Sequence, residues 1–264
     1  MSFDFHRPAT VEEAAALLTG AADGKFLAGG MTLLPTIHQR LASPTDLIDL
    51  SAVPGLAGIS EEDGVLVIGA MTRHADVAAS PLVASLIPAL VTLAGGIGDP
   101  QVRHRGTIGG SIANNDPAAD YPAAVLGLGA TIVTSRREIA ADDFFVGMFE
   151  TALAEDEVIL SVRFPVPDKA AYMKMRSPAS RYALAGVFVA LFPDGARVAV
   201  TGAAPAVFRS TDLEEALTAS FTPSALDRLS IDASDMLSDL SGDREYRANL
   251  VVVLARRAVS AALA

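Results

Sequence analysis

The 264-residue sequence contains no cysteine and no tryptophan, and aromatic residues make up only 6% of it. Without cysteine the chain can form no disulfide, thiolate nucleophile, cysteine-ligated iron–sulfur cluster or cysteine-based zinc site. Basic side chains are scarce as well: 20 Lys and Arg against 31 Asp and Glu leave a formal net charge of -11. They gather no further than pairs such as Arg136-Arg137 and Arg256-Arg257. That pattern argues against nucleic acid as a partner, because phosphate contacts need clustered cations. Long apolar runs are also missing. Ala183 to Phe192 and Leu250 to Ala255 fall well short of the roughly 20 residues of a transmembrane segment, and read as a buried strand and a buried helix. The opening MSFDFHRPATVEEAAALL has no cationic segment ahead of an apolar core, so no secretory signal is expected. These features are compatible with a cytoplasmic protein.

Common chemical signatures are absent too. Gly20 to Lys25 has the outline of a phosphate-binding P-loop, but Phe26 stands where a magnesium-binding Ser or Thr belongs. Gly127-Leu128-Gly129 lacks the third glycine of a Rossmann fingerprint, with Ile132 in its place. The four histidines, His6, His38, His74 and His104, show no metal-ligand spacing and read as surface or capping residues. No nucleophile–base spacing is visible, and Glu61-Glu62 and Asp142-Asp143 read as solvated turns.

What is present is an α+β pattern in three units, 1–54, 55–166 and 167–264. In the first, Thr10 and Glu13 form a capping box ahead of a helix. Lys25 to Ala28 is a strand, Leu33 to Leu41 a helix and Asp46 to Leu50 a strand. Pro54-Gly55 marks a seam. Leu56 to Ile59 and Val65 to Ala70 then read as strands, and Thr72 as a helix cap. Leu82 to Ala94 is a helix interrupted near Pro88. Ala130 to Ser135 and Glu157 to Phe164 are strands. Pro165-Val166-Pro167 is the second seam. Beyond it, Ala183 to Phe192 and Ala196 to Thr201 pair across Pro193-Asp194-Gly195. Thr211 with Glu214 reads as a capping box, Pro223 as the first position of a helix, and Asp243 to Leu263 as a long final helix.

Two glycine stretches carry the chemistry. One is KFLAGGMTL, comprising Lys25, Phe26, Leu27, Ala28, Gly29, Gly30, Met31, Thr32 and Leu33. The other is TIGGS: Thr107, Ile108, Gly109, Gly110 and Ser111. The surrounding RHRGTIGGSIANNDPAAD, residues 103–120, reads as too broken for a helix. Consecutive glycines bring main-chain N–H groups to an anion with no side chain between. Neutral donors suit an acidic protein, and the hydroxyls of Thr32, Thr107 and Ser111 add to them. Two such stretches together point to a phosphate cradle.

These segments resemble a known family. AGGMTLLP at 28–35, QVRHRGTIGGSIANNDPAADYPA at 101–123, EDEVILSVRFP at 155–165 and SGDREYRANLVVVLARRAV at 241–259 are similar to the FAD-binding medium subunits of molybdenum hydroxylases, the carbon monoxide and xanthine dehydrogenase group. The resemblance implies a vanillyl-alcohol-oxidase-type (PCMH) fold, with two α/β subdomains holding FAD and a C-terminal α+β domain. It implies that both glycine stretches approach the FAD diphosphate and that Asp120 bonds the adenosine portion. Ile97 and Ile159 would pack near the cofactor, Lys174 would contact the flavin, and Tyr182 would lie against its ring. Many members carry histidine and serine after AGG; here Met31 and Thr32 keep the hydroxyl but lose a side-chain donor. The resemblance also implies partners that supply what a cysteine-free chain lacks. These are a large molybdopterin-binding subunit and a small 2[2Fe-2S] subunit, assembled as a dimer of heterotrimers. A self-sufficient flavin oxidase or reductase of the same fold is the alternative.

Overall fold

The computed structural model describes residues 3–264, and each run of chain builds its own sheet. The first sheet is short and parallel, with Asp46–Asp49 between Asp4–His6 and Gly24–Leu27. Parallel strands need a crossover, and the helix Val11–Gly20 supplies it. Thr10 caps that helix by accepting from the Glu13 N–H at 3.1 Å. The Glu13 carboxylate returns to the Ala9 N–H, one residue earlier than an ideal box requires. Ala14 and Ile48 seal this unit against Leu56 and Val158 of the next.

The second sheet is antiparallel, in the order Ile59–Glu62, Val65–Gly69, Ile159–Pro165, Thr131–Thr134, Glu138–Ala140. Its central strand arrives some 90 residues after the hairpin it joins, so the intervening chain must fold over one face. It does so as short helices. Pro81, Pro88 and Pro100 each start one, because proline is preorganised for the first helical turn and breaks an interior.

The third sheet is a meander of Lys169–Arg176, Ala183–Phe192, Gly195–Thr201 and Phe208–Arg209. It is covered on both faces. Phe188, Ala190 and Ala199 pack onto the helices of the second unit. Val187, Val189 and Val198 pack onto the unit that contains the terminal helix Arg244–Leu263. Burial on two sides is why Ala183 to Phe192 is almost continuously apolar rather than alternating.

Four sequence expectations are corrected. Residues 100–127 are largely helical: Pro100–Arg105, Ile108–Asn114 and Tyr121–Gly127. Asp99 caps the first and Thr107 the second, and burial of Ile108, Gly109 and Ile112 outweighs the poor helix propensity of glycine. Thr72 caps nothing. Its hydroxyl bonds both main-chain groups of Gly58 at 3.0 Å, and the next helix starts at His74. Thr211 is not a cap either, because the helix Thr211–Ala219 follows Ser210. Glu214 is drawn instead to Arg209 and the Val198 N–H. The first strand of the second sheet is Ile59–Glu62, while Leu56 turns into the core.

Candidate functional site: a cleft between two glycine stretches

Both glycine stretches line one cleft of about 660 Å³, a size suited to a cofactor. They meet directly. A Cβ at Gly110 would lie 3.4 Å from the Ala28 Cβ, and one at Gly29 would overlap the Arg105 carbonyl oxygen and come 2.8 Å from the Gly106 Cα. Glycine at 29 is therefore required by chain-on-chain contact.

The stretches differ in what they offer. Among the described residues, the N–H groups of Gly29, Gly30, Met31 and Thr32 donate to no protein acceptor. Gly30 bends the chain in the left-handed region at φ 72°, which a side chain would resist. Thr32 precedes the helix Leu33–His38 without capping it, so its hydroxyl is uncommitted. Four consecutive open donors form an anion-binding concavity. In the second stretch the donors are engaged. Ile108 N–H donates to the Thr72 carbonyl at 3.1 Å, Gly109 to Ala70 at 2.8 Å and Ser111 to Thr107 at 3.0 Å. Gly110 donates to Thr107 Oγ1 at 3.1 Å. This stretch supplies shape and the Ser111 hydroxyl, not the open amides expected of it.

Lys25, Phe26, Ala28, Met31, Leu33, Ile97, Thr107, Asp120, Ile159 and Tyr182 also line the cleft. Leu27, Ile108 and Lys174 do not. Leu27 would meet a Gly30 Cβ at 3.2 Å, and Ile108 is fully buried in the core. Lys174 is committed to Asp120, with Nζ 2.8 and 2.9 Å from the two carboxylate oxygens. Tyr172, two residues earlier and so on the same strand face, donates to Asp120 Oδ1 at 2.5 Å. Gly186 leaves room for that hydroxyl, since a Cβ there would collide with it. Burial raises the Asp120 carboxyl above its ordinary value, and the Lys174 charge opposes the shift. The Tyr172 phenol is raised by burial and by Asp120, and stays a donor. The third sheet is thus tied to the cleft wall through Asp120.

Several lining residues carried no sequence signal. Glu157 is buried at the side chain and receives Arg137 Nε at 3.1 Å, Thr134 Oγ1 at 2.6 Å and the Ala154 N–H at 2.9 Å. Burial alone would raise it, but these donors hold it down at about 2. Phe149 is exposed at the lip with φ 56°. The hairpin carrying it is fixed by Asn115, whose Nδ2 donates to the Gly147 and Glu150 carbonyls at 2.8 Å. His74 is neither a surface nor a capping residue: it is 5% exposed and lines the cleft. Burial, with the nearby Arg103 charge, lowers its pKa to about 4, so the imidazole is neutral at pH 7. Nothing in its sequence neighbourhood marks this, because its environment comes from Gly106 and Tyr121.

Two glycine stretches closing on a long cleft, backed by a parallel sheet, an antiparallel sheet and a covering meander, define the class as a PCMH-type FAD-binding fold. Residues 1–167 match the family model described as the FAD binding domain in molybdopterin dehydrogenase. The chain is 39% identical to the carbon monoxide dehydrogenase medium chain of Hydrogenophaga pseudoflava, covering 99% of this chain and 97% of that one. It is 38% identical to the nicotine 6-hydroxylase medium subunit of Paenarthrobacter nicotinovorans, over 96% and 94% of the two. A solved carbon monoxide dehydrogenase from Hydrogenophaga pseudoflava superposes with a TM-score of 0.91 at 38% identity, covering 100% of this chain and 98% of that one. The chain belongs to the family of FAD-binding domains of molybdopterin dehydrogenases.

Proposed function

We propose that this chain is the flavoprotein medium subunit of a molybdenum hydroxylase, binding one FAD without a covalent link. The observation that carries the reading is the run of open N–H donors from Gly29 to Thr32 in a cleft where Lys25 is the one Lys or Arg among the lining residues. Lys25 already pairs with Asp23 at 3.1 Å. An anion held here depends on neutral main-chain donors, as a diphosphate cradle does. The cleft's apolar lining, Ile97, Val102, Leu153 and Ile159 among it, suits flat rings at either end.

When bound, FAD supplies the step between one-electron carriers and an external acceptor. The chain's own residues bind, orient and shield it. Gly29 to Thr32 and Ser111 hold the diphosphate, and Asp120, fixed by Tyr172 and Lys174, accepts from hydroxyl or amino donors of the cofactor. Tyr182, half exposed on the turn closed by the Ser177 N–H to Tyr182 carbonyl bond, covers the ring. Units 1–54 and 55–166 frame the cleft, and 167–264 braces it. No residue is assigned a catalytic role. The large molybdopterin-binding and small 2[2Fe-2S] subunits are the proposed partners, in a dimer of heterotrimers in the cytoplasm. Among the described residues no helix is long and apolar enough to cross a membrane.

The test is calorimetric titration of the purified, folded chain with FAD. One tight site and a yellow product are expected. A folded chain that takes up no FAD would end this reading.

A further inference from the structure

The wall behind the first glycine stretch holds a polar group that nothing in the protein satisfies. His74 N–H donates to the Gly106 carbonyl at 2.9 Å, which locks the residue onto the segment that Gly29 touches. The ring lies against Gly106, where a Cβ would come 2.6 Å from Nε2. The missing side chain at 106 therefore makes room for the imidazole. Among the described residues neither ring nitrogen hydrogen-bonds to another protein group, and Nδ1 is sealed from solvent. The ring also meets Tyr121, with centroids 5.3 Å apart, and the Tyr121 hydroxyl is likewise buried without a partner. Buried polar groups left unpaired are costly and uncommon. Here two stand together, and of the pair His74 lines the cleft, on the segment that touches Gly29, the first of the open donors.

We propose that His74 is a binding residue for the diphosphate of the bound dinucleotide, presenting Nε2–H to it as a neutral donor. This rests on the function proposed above. Nδ1 is sealed while Nε2 is not, so Nε2 is the ring nitrogen that can meet a ligand in the cleft, and a neutral imidazole carrying its proton there is a donor. The site then holds its anion by uncharged donors throughout: the four main-chain N–H groups, the Thr32 and Ser111 hydroxyls, and His74. That arrangement fits a cleft whose lining also includes Asp116, Asp120, Glu155 and Glu157.

The test uses the full chain, with FAD and ADP as probes, since ADP carries the diphosphate without the flavin. His74→Phe is expected to weaken both about tenfold, the worth of one good hydrogen bond. His74→Gln, which keeps an N–H near the Nε2 position, is expected to recover most of that loss. Undiminished ADP binding by His74→Phe would overturn the proposal. So would a glutamine variant no better than phenylalanine, because the loss would then be one of packing. Wild-type chain with histidine labelled at the ring nitrogens gives an answer that needs no variant. One of the four histidines is expected to shift its Nε2 resonance when ADP is added, and spectra without such a shift would also overturn the proposal. Wild-type protein that binds no FAD would remove the underlying function instead, a separate result.

Discussion

Gly29-Gly30 and Gly109-Gly110 are the same dipeptide, each with a hydroxyl residue close by, and they sit on facing sides of one cleft. Their surroundings use them differently. Gly29-Gly30 leaves a parallel strand and turns through the left-handed region, so its N–H groups have neither ladder nor helix to join. Gly109-Gly110 opens a helix whose first turn is tied to Ala70, Thr72 and Thr107. Glycine content therefore marks close approach in both places. Only the local hydrogen-bond geometry decides whether the approach is to a ligand or to the protein itself.

Adding one methyl group breaks this comparison most sharply. In Gly29→Ala the Cβ has only rigid backbone in front of it, at Arg105 and Gly106. A loss of at least about 3 kcal/mol is expected in urea unfolding. Gly109→Ala meets the Ala70 Cβ at 2.6 Å and its carbonyl oxygen at 2.7 Å, and should cost about 2 kcal/mol. A stable Gly29→Ala protein would show that Gly29 does not lie against Arg105 and Gly106.

The seam between the stretches has its own signature in pH. His74 titrates near 6.5 when unfolded and near 4 in the fold, because burial and Arg103 oppose its charge. Over that interval the unfolded chain binds the extra proton. Stability is therefore complete above pH 6.5 and falls as the pH drops toward 4, by roughly 2 kcal/mol between pH 7 and 5. His74→Phe should flatten that part of the curve in urea midpoints measured at both values. An unchanged slope would place the imidazole in water.

The smallest effects separate folding from binding. Thr107→Ala loses the bond from the Gly110 N–H and should cost about 1 kcal/mol of stability. Thr32→Ala, with no cap to lose, should leave stability within about 0.5 kcal/mol and weaken FAD severalfold in calorimetry. Equal stability losses in the two would dissolve the distinction drawn here.

Much of this was legible in the sequence. Pro88 marked the break between the helices Pro81–Leu86 and Pro88–Gly95, and the apolar run at 183–192 marked a buried strand. The glycine pairs pointed to the cleft itself. His74, Glu157 and Phe149 were not legible. Each lines the cleft beside segments far along the chain, and no local pattern records what it faces. The family resemblance placed Lys174 against the flavin; its pairing with Asp120, beside Tyr172 and over Gly186, was not legible.

By itself the sequence determined the absence of cysteine chemistry, the alternation of strands and helices, and the points where bare main chain comes close to something. Those follow from side-chain identity, period and backbone freedom, which are local properties. The tertiary structure alone decided which amides stay open, which carboxylate is held by Tyr172 and Lys174, and that an imidazole lies unpaired behind Gly106. Those depend on partners brought together across more than thirty residues, and hydrogen bonding and desolvation are set by such partners rather than by chain order.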